Sequence, residues 1–134
     1  MRNVVLTLCL LASTAAAQAE LPTADAAISV PSGQPVAFFE SLSDQVDMGQ
    51  TARFRFLAPE LPARLAAMSY EDMEADLAYL CARYAVPHLT DPKPEMIVIS
   101  LAASPTEFGT PNPDVAEVFE MYRLERDTCA WEAF

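Results

Sequence analysis

The sequence predicts an α+β fold: an antiparallel or mixed sheet of about five strands, with one long helix packed on one face and a second, short helix. Three patterns predict it. Residues 51–57 alternate apolar and basic side chains, residues 70–85 repeat apolar side chains at helical spacing, and residues 96–101 form a short, almost unbroken apolar run. A hydrophobic content of 52% over 134 residues belongs to a globular chain with room for one domain, not to a disordered acidic tail. Nineteen acidic residues against eight basic ones give a net charge of -11. That field repels phosphate backbones and anionic lipid heads, so nucleic acid and membrane surfaces are poor partners.

The chain opens as an exported protein would. Met1-Arg2-Asn3 is a short positive start, Val4 to Leu11 is apolar but for Thr7, and Ala17-Gln18-Ala19 has the small-x-small form of a cleavage site. A secretory signal peptide is expected over residues 1–19, cut after Ala19 or at the second small-residue site, Ala17. About eight apolar residues cannot cross a hydrocarbon core, so no membrane span is expected once the signal is removed. Cys9 lies inside the apolar run and lacks the small residues that precede a lipidated cysteine. Cleavage removes one arginine and leaves about 115 residues, more acidic than the whole chain and enough for one core. Residues 20–27 read as a flexible lead-in and 28–134 as a single α+β domain, periplasmic or secreted.

Within that domain, Pro31-Ser32-Gly33-Gln34-Pro35 marks a turn, and Val36 to Leu42, with Phe38 and Phe39, suits a strand. From Thr51 to Leu57, Ala52, Phe54 and Phe56 alternate with Arg53 and Arg55, as in a strand with one buried and one wet face. Pro59 and Pro62 end it. Ser69, three residues before Asp72, caps a helix expected from Tyr70 to about Ala85. Its inward face carries Tyr70, Met73, Leu77, Leu80, Cys81 and Tyr84, and Glu71, Ala75, Ala78 and Ala82 lie opposite. Pro87 stops it.

Asp91-Pro92-Lys93-Pro94 is a rigid connector into the strand Met96–Leu101, whose continuous apolar character predicts cover on both faces. After a turn-rich segment, Asn112 as cap and Pro113 at the first helical position predict the short helix, with Val115, Val118 and Phe119 as its apolar side. The period then changes to two. A loop centred on Arg126-Asp127 sets Leu124 opposite Cys129 and Tyr122 opposite Trp131, so that both last strands share one apolar side.

Few residues carry chemistry. Cys81 and Cys129 are the two cysteines left after signal cleavage, each on an inward face, and in an exported chain they are expected to form a disulfide. The bridge would close a loop of about 49 residues, worth about 4 kcal/mol. A redox-active pair would show Cys-x-x-Cys spacing or a helix-start cysteine, and neither is present. His88 is the single histidine and reads as a loop or capping residue, since a zinc or triad site needs more partners; no metal site and no cofactor are expected. Glu71, Asp72, Glu74 and Asp76 do not converge on a helix and read as a solvated helix start, and Asp44, Asp47 and Gly49 lack calcium-loop spacing. Arg53 and Arg55, on one strand face, are candidates for holding an anion or ligand, unless cross-strand acids pair with them. The Ala75, Ala78, Ala82 stripe with Tyr79 beside it is either a flat partner surface or simply good helix chemistry.

The motifs Val30-Pro-Ser-Gly-Gln-Pro-Val36, Arg53-Phe-Arg-Phe56, Val98-Ile-Ser-Leu101, Phe108-Gly109 and Cys129-Ala-Trp-Glu-Ala-Phe134 resemble those of a family of small exported alphaproteobacterial proteins known as a domain of unknown function. The resemblance covers most of the mature chain and implies a Gram-negative periplasmic setting, with no activity, cofactor or site attached. No nucleophile, base and oxyanion donor assemble from these residues. The expected function is therefore a non-catalytic domain that binds a periplasmic protein or small ligand. The alternatives are a small carboxylate-dependent hydrolase, which would need two converging carboxylates, and a structural envelope protein, which would show a broad apolar patch without a pocket.

Overall fold

The apolar run at 96–101 is the strand around which the sheet is organised. The computed structural model describes residues 27–46 and 49–133; the expected signal peptide, Cys9, most of the lead-in and Asp47 lie outside them. Six strands run in spatial order as in sequence: β1 (Ala27–Ser29), β2 (Pro35–Val46), β3 (Gly49–Leu57), β4 (Met96–Ala102), β5 (Glu117–Glu125) and β6 (Thr128–Glu132). All neighbours are antiparallel except β3 and β4, which are parallel, from Thr51 beside Met96 to Leu57 beside Ala102. The sheet is mixed, as expected, with six strands where about five were foreseen. The extra one, β1, has three residues, too few for a periodic signal, and pairs with β2 around the turn closed by Gly33 N–H to Val30 O.

The connection from β3 to β4 holds two helices, α1 (Leu61–Ala67) and α2 (Tyr70–Leu80). Met73, Leu77 and Leu80 of α2 join Phe54, Phe56, Ile97, Ile99, Leu101 and Tyr122 in the main core. Every residue of β4 is buried, with Met96, Val98 and Met121 forming a smaller cluster on the second face. Among the described residues no helix is long and apolar enough to cross a membrane.

Three expectations about the helices need correction. The first is α1, where Pro59 and Pro62 promised only an end to the strand; proline is at home in a first helical turn, and Ala63-Arg64-Leu65-Ala66-Ala67 behind it are good helix formers. The second is the long helix, which is α-helical only to Leu80; Cys81–Ala85 widen into a π turn and Val86–His88 tighten into a 3-10 turn. The third is the short helix after Asn112, which does not form. Asn112 Oδ1 accepts from Asp114 N–H and its carbonyl from Val115 N–H, one turn in all, and the chain then enters β5 at Glu117. A single turn carries the full nucleation cost of a helix, whereas the β-formers Val118 and Phe119 gain a ladder against Leu101 and Ser100. Strand β2 also outruns its expected end, because polar Ser43, Asp44 and Gln45 still pair with β3.

Local devices pin the sheet and helix together. Ser69 Oγ accepts from Asp72 N–H at 3.1 Å, the expected N-cap. The β5–β6 hairpin turns through Arg126 and Asp127, both at positive φ, and sets Leu124 beside Cys129 and Tyr122 beside Trp131 as the alternation requires. Cys81 and Cys129 form a disulfide, tying the end of α2 to β6. Asp76, expected among solvated acids, is fully buried. Its carboxylate accepts from Ser32 N–H at 2.9 Å, Ser32 Oγ at 2.5 Å and Gln34 Nε2 at 2.7 Å, holding the β1–β2 turn from 44 residues away in sequence.

Two outcomes are expected. Replacing both Cys81 and Cys129 by Ala lowers the unfolding free energy by about 4 kcal/mol in denaturant titration, and intact mass rises on reduction of the wild type alone. Asp76→Ala lowers it by about 3 kcal/mol, because Gln34 stays buried without its charged acceptor; a loss within error of zero would mean that the turn is held without Asp76.

Candidate functional site

Two concave surfaces flank β5, one on each side of the sheet. The first contains the arginine pair. Period two puts Arg53 and Arg55 on the same face of β3, but this face is not wet: the connection 103–116 folds back over it and Arg55 is only 6% exposed. An irregularity between Phe38 and Glu40 of β2 brings Glu40 directly opposite Arg55. Arg55 Nη1 donates to Glu40, while Nη2 donates to the backbone oxygen and hydroxyl of Thr106 at 2.8 and 2.7 Å. Its guanidinium carbon lies 5.3 Å from the Phe39 ring centre and 5.9 Å from that of Phe108. Arg53 Nε donates to Asp44 at 3.1 Å, with the Phe108 ring at 5.4 Å. Beside the pair, a cavity of about 270 Å³ opens between Val98, Ser100, Phe108 and Phe119. The cross-strand acids therefore meet both arginines.

The second surface is a groove of about 530 Å³ between the helices and the outer strands. Strand β6 pairs only with Met121–Glu125, so the first half of β5 forms the sheet edge there. Met68, Met73 and Leu77 line the helical side, and Val118, Phe119 and Glu120 the strand side. Of the six large apolar side chains left exposed among the described residues, four line this groove: Leu65, Tyr70, Phe119 and Trp131. That concentration separates the groove from ordinary scattered surface apolarity.

One carboxylate organises it. Glu120 shares the apolar face of β5 with Tyr122 and is 6% exposed. Its Oε1 accepts from the Tyr70 hydroxyl and its Oε2 from Trp131 Nε1, each at 2.8 Å. The polar edges of two aromatic rings thus grip one buried acid, while the rings themselves stay more than half exposed, Tyr70 at 63% and Trp131 at 56%. Glu74 and Glu117 also line the groove, and among the described residues no lysine, arginine or histidine does. The hydrogen bond to Glu120, with desolvation and the charges of Glu120 and Glu74 behind it, pushes the Tyr70 hydroxyl up to about 12. Burial, then the same two charges, also raises Tyr122.

The other candidates stand apart. His88 is exposed in the 3-10 turn, stacked on Tyr84 with Nδ1 2.6 Å from the Tyr84 carbonyl, which fits a capping role. Glu71 and Asp72 are exposed, Asp76 is buried in the turn contact, and Glu74 faces the groove, so the four acids go to three different places. Ala75, Ala78 and Ala82 form an exposed stripe. Among the described residues no group of three or more His, Cys, Asp or Glu side chains is placed to hold a metal ion.

Tyr70, Phe119, Glu120 and Trp131 were not singled out from the sequence as a site. A signal for Glu120 was available, however: alternation back from Leu124 and Tyr122 puts a carboxylate on an otherwise apolar strand face, where it needs partners.

By sequence, the chain belongs to the DUF6497 family, a family of unknown function whose model matches residues 8–134. No curated protein and no solved structure matches it.

The ionisation of Tyr70 tests the centre of the groove. In the wild type its ring signal, followed by NMR, titrates at about 12 rather than 10; in Glu120→Gln it returns toward 10. The folded state holds this proton more tightly than the unfolded chain. The stabilisation is therefore whole below pH 10 and is lost as pH rises toward about 12.

Proposed function

We propose that this is an exported, non-catalytic binding domain, periplasmic or secreted, whose ligand is a small molecule seated in the groove between the helices and β5. The observation that carries the proposal is that four of the six large apolar side chains exposed among the described residues line one groove, two of them hydrogen-bonded to its buried carboxylate. A volume of about 530 Å³ suits a small ligand. The walls belong to α1, α2, β5 and β6, and the Cys81–Cys129 bridge ties the end of α2 to β6, which favours a preformed site. The predicted signal peptide and the cysteine pair support export.

Binding is favoured over the carboxylate-dependent hydrolase because both oxygens of Glu120 accept hydrogen bonds from the walls, which engages the carboxylate in holding the two rings in place. It is favoured over a structural envelope role because the exposed apolar surface is concave and rimmed by acids. In this proposal Arg53 and Arg55 clasp the connection over the second face rather than hold an anion. Each already has a carboxylate partner, and Arg55 also holds Thr106.

Trp131 is the single tryptophan of the chain, so its fluorescence reports on the groove directly. Titration with a panel of cationic, anionic and neutral small molecules is expected to yield at least one class that changes Trp131 emission saturably and raises the melting temperature, with both effects lost in Tyr70→Ala. A panel in which no compound perturbs Trp131, or in which Tyr70→Ala binds as well as wild type, would overturn the proposal.

A further inference from the structure

The chemistry of the groove narrows its ligand, given that the groove is the binding surface. Its lining carries Glu74, Glu117 and Glu120 with no basic side chain, so an anion entering it meets only repulsion. On other surfaces Glu40, Asp44, Glu60 and Glu132 each pair with an arginine, whereas none of the three groove carboxylates takes part in such a pair. The groove thus sets three carboxylates beside the exposed rings of Tyr70 and Trp131.

We propose that the groove binds an alkylated ammonium group, with the rings of Tyr70 and Trp131 against its methyl groups and the Glu120 carboxylate as its counter-charge. Aromatic rings attract cations through their negative faces, and the attraction grows as water is excluded. Tyr70 and Trp131 combine this with hydrogen bonds to Glu120, which direct their N–H and O–H groups at the carboxylate and leave ring surface for the ligand.

The wall selects the alkylated form. A primary ammonium carries three N–H donors that each need an acceptor when desolvated. Glu120 offers oxygens already shared with two donors, the other two carboxylates, Glu74 and Glu117, are more open to water, and the rest of the neighbouring surface includes Met68, Met73, Leu77 and Val118. Alkyl groups on nitrogen ask for no acceptor and gain from burial against such side chains. A hard metal cation is disfavoured for the complementary reason, since its oxygen ligands would have to be supplied by a wall that is mostly apolar.

The test follows Trp131 fluorescence at constant ionic strength, with tetramethylammonium and choline as probes and ammonium and the uncharged carbon isostere of choline as controls. Saturable binding of both probes is expected, with the isostere and ammonium at least about ten-fold weaker. Glu120→Gln should weaken choline about ten-fold. Glu117→Gln, an exposed position outside the Tyr70–Glu120–Trp131 contact, should weaken it about three-fold with an unchanged melting temperature. Equal binding of choline and its isostere would overturn the cationic assignment while leaving the groove a binding site. Silence of every probe, with an anionic or neutral ligand found in the groove, would do the same. Vesicles of phosphocholine lipid separate the two sources of this chemistry: choline-competed association points to a lipid headgroup, and binding of free choline alone points to a solute.

Discussion

Pairing β3 parallel to β4 obliges the chain to return along the whole length of the sheet before β4 can begin, because parallel neighbours cannot be joined by a tight turn. The return path, residues 58–95, contains both helices and covers one face. Everything that joins helix to sheet follows from this constraint. It buries β4 on both sides, as its uninterrupted apolar run requires, and it lays the first turn of α2 beside β5. An all-antiparallel meander of the same six strands would have no long connection in which to carry α2.

The helix is then fastened at three separated points. Tyr70 at its start reaches Glu120 on β5, Asp76 at its middle holds the β1–β2 turn, and Cys81 at its end is bonded to Cys129 on β6. Apolar contact alone is non-directional and would tolerate sliding of the helix along the sheet. Directional bonds to three different strands or turns remove that freedom. The groove is a by-product of one of these fastenings, since the same contact that anchors the start of α2 stands Tyr70 and Trp131 on either side of a buried acid.

The acid excess acquires a spatial meaning. Four of the arginines, Arg53, Arg55, Arg64 and Arg123, are engaged in ion pairs within the chain. Isolated pairs of this kind add little to stability when exposed, but they decide where unbalanced charge remains. On the second face of the sheet Arg53 and Arg55 meet Asp44 and Glu40, whereas among the described residues the carboxylates of the groove have no basic side chain lining it beside them. Overall charge alone suggested solubility; the fold adds a surface where carboxylates stand beside exposed aromatic rings.

The local pattern of residues determined the strand at 51–57, the helix beginning at Tyr70 with its Ser69 cap, the doubly covered strand at 96–101 and the register of Leu124 with Cys129 and of Tyr122 with Trp131; with two cysteines expected after signal cleavage, it also placed Cys81 and Cys129 on facing sides. Each of these depends on contacts within a turn or a hairpin, or on which face a side chain must take, and the local pattern of apolar residues carries that information. Only the tertiary structure decided that Arg55 and Asp76 are buried, that residues 113–119 leave a helical pattern for a strand, and that Tyr70, Glu120 and Trp131 meet. Those outcomes rest on partners tens of residues away: Ser32 for Asp76, Thr106 for Arg55, Glu120 for Tyr70. Whether a polar side chain is buried depends on the donors or acceptors that the fold brings to it, and no local pattern specifies them.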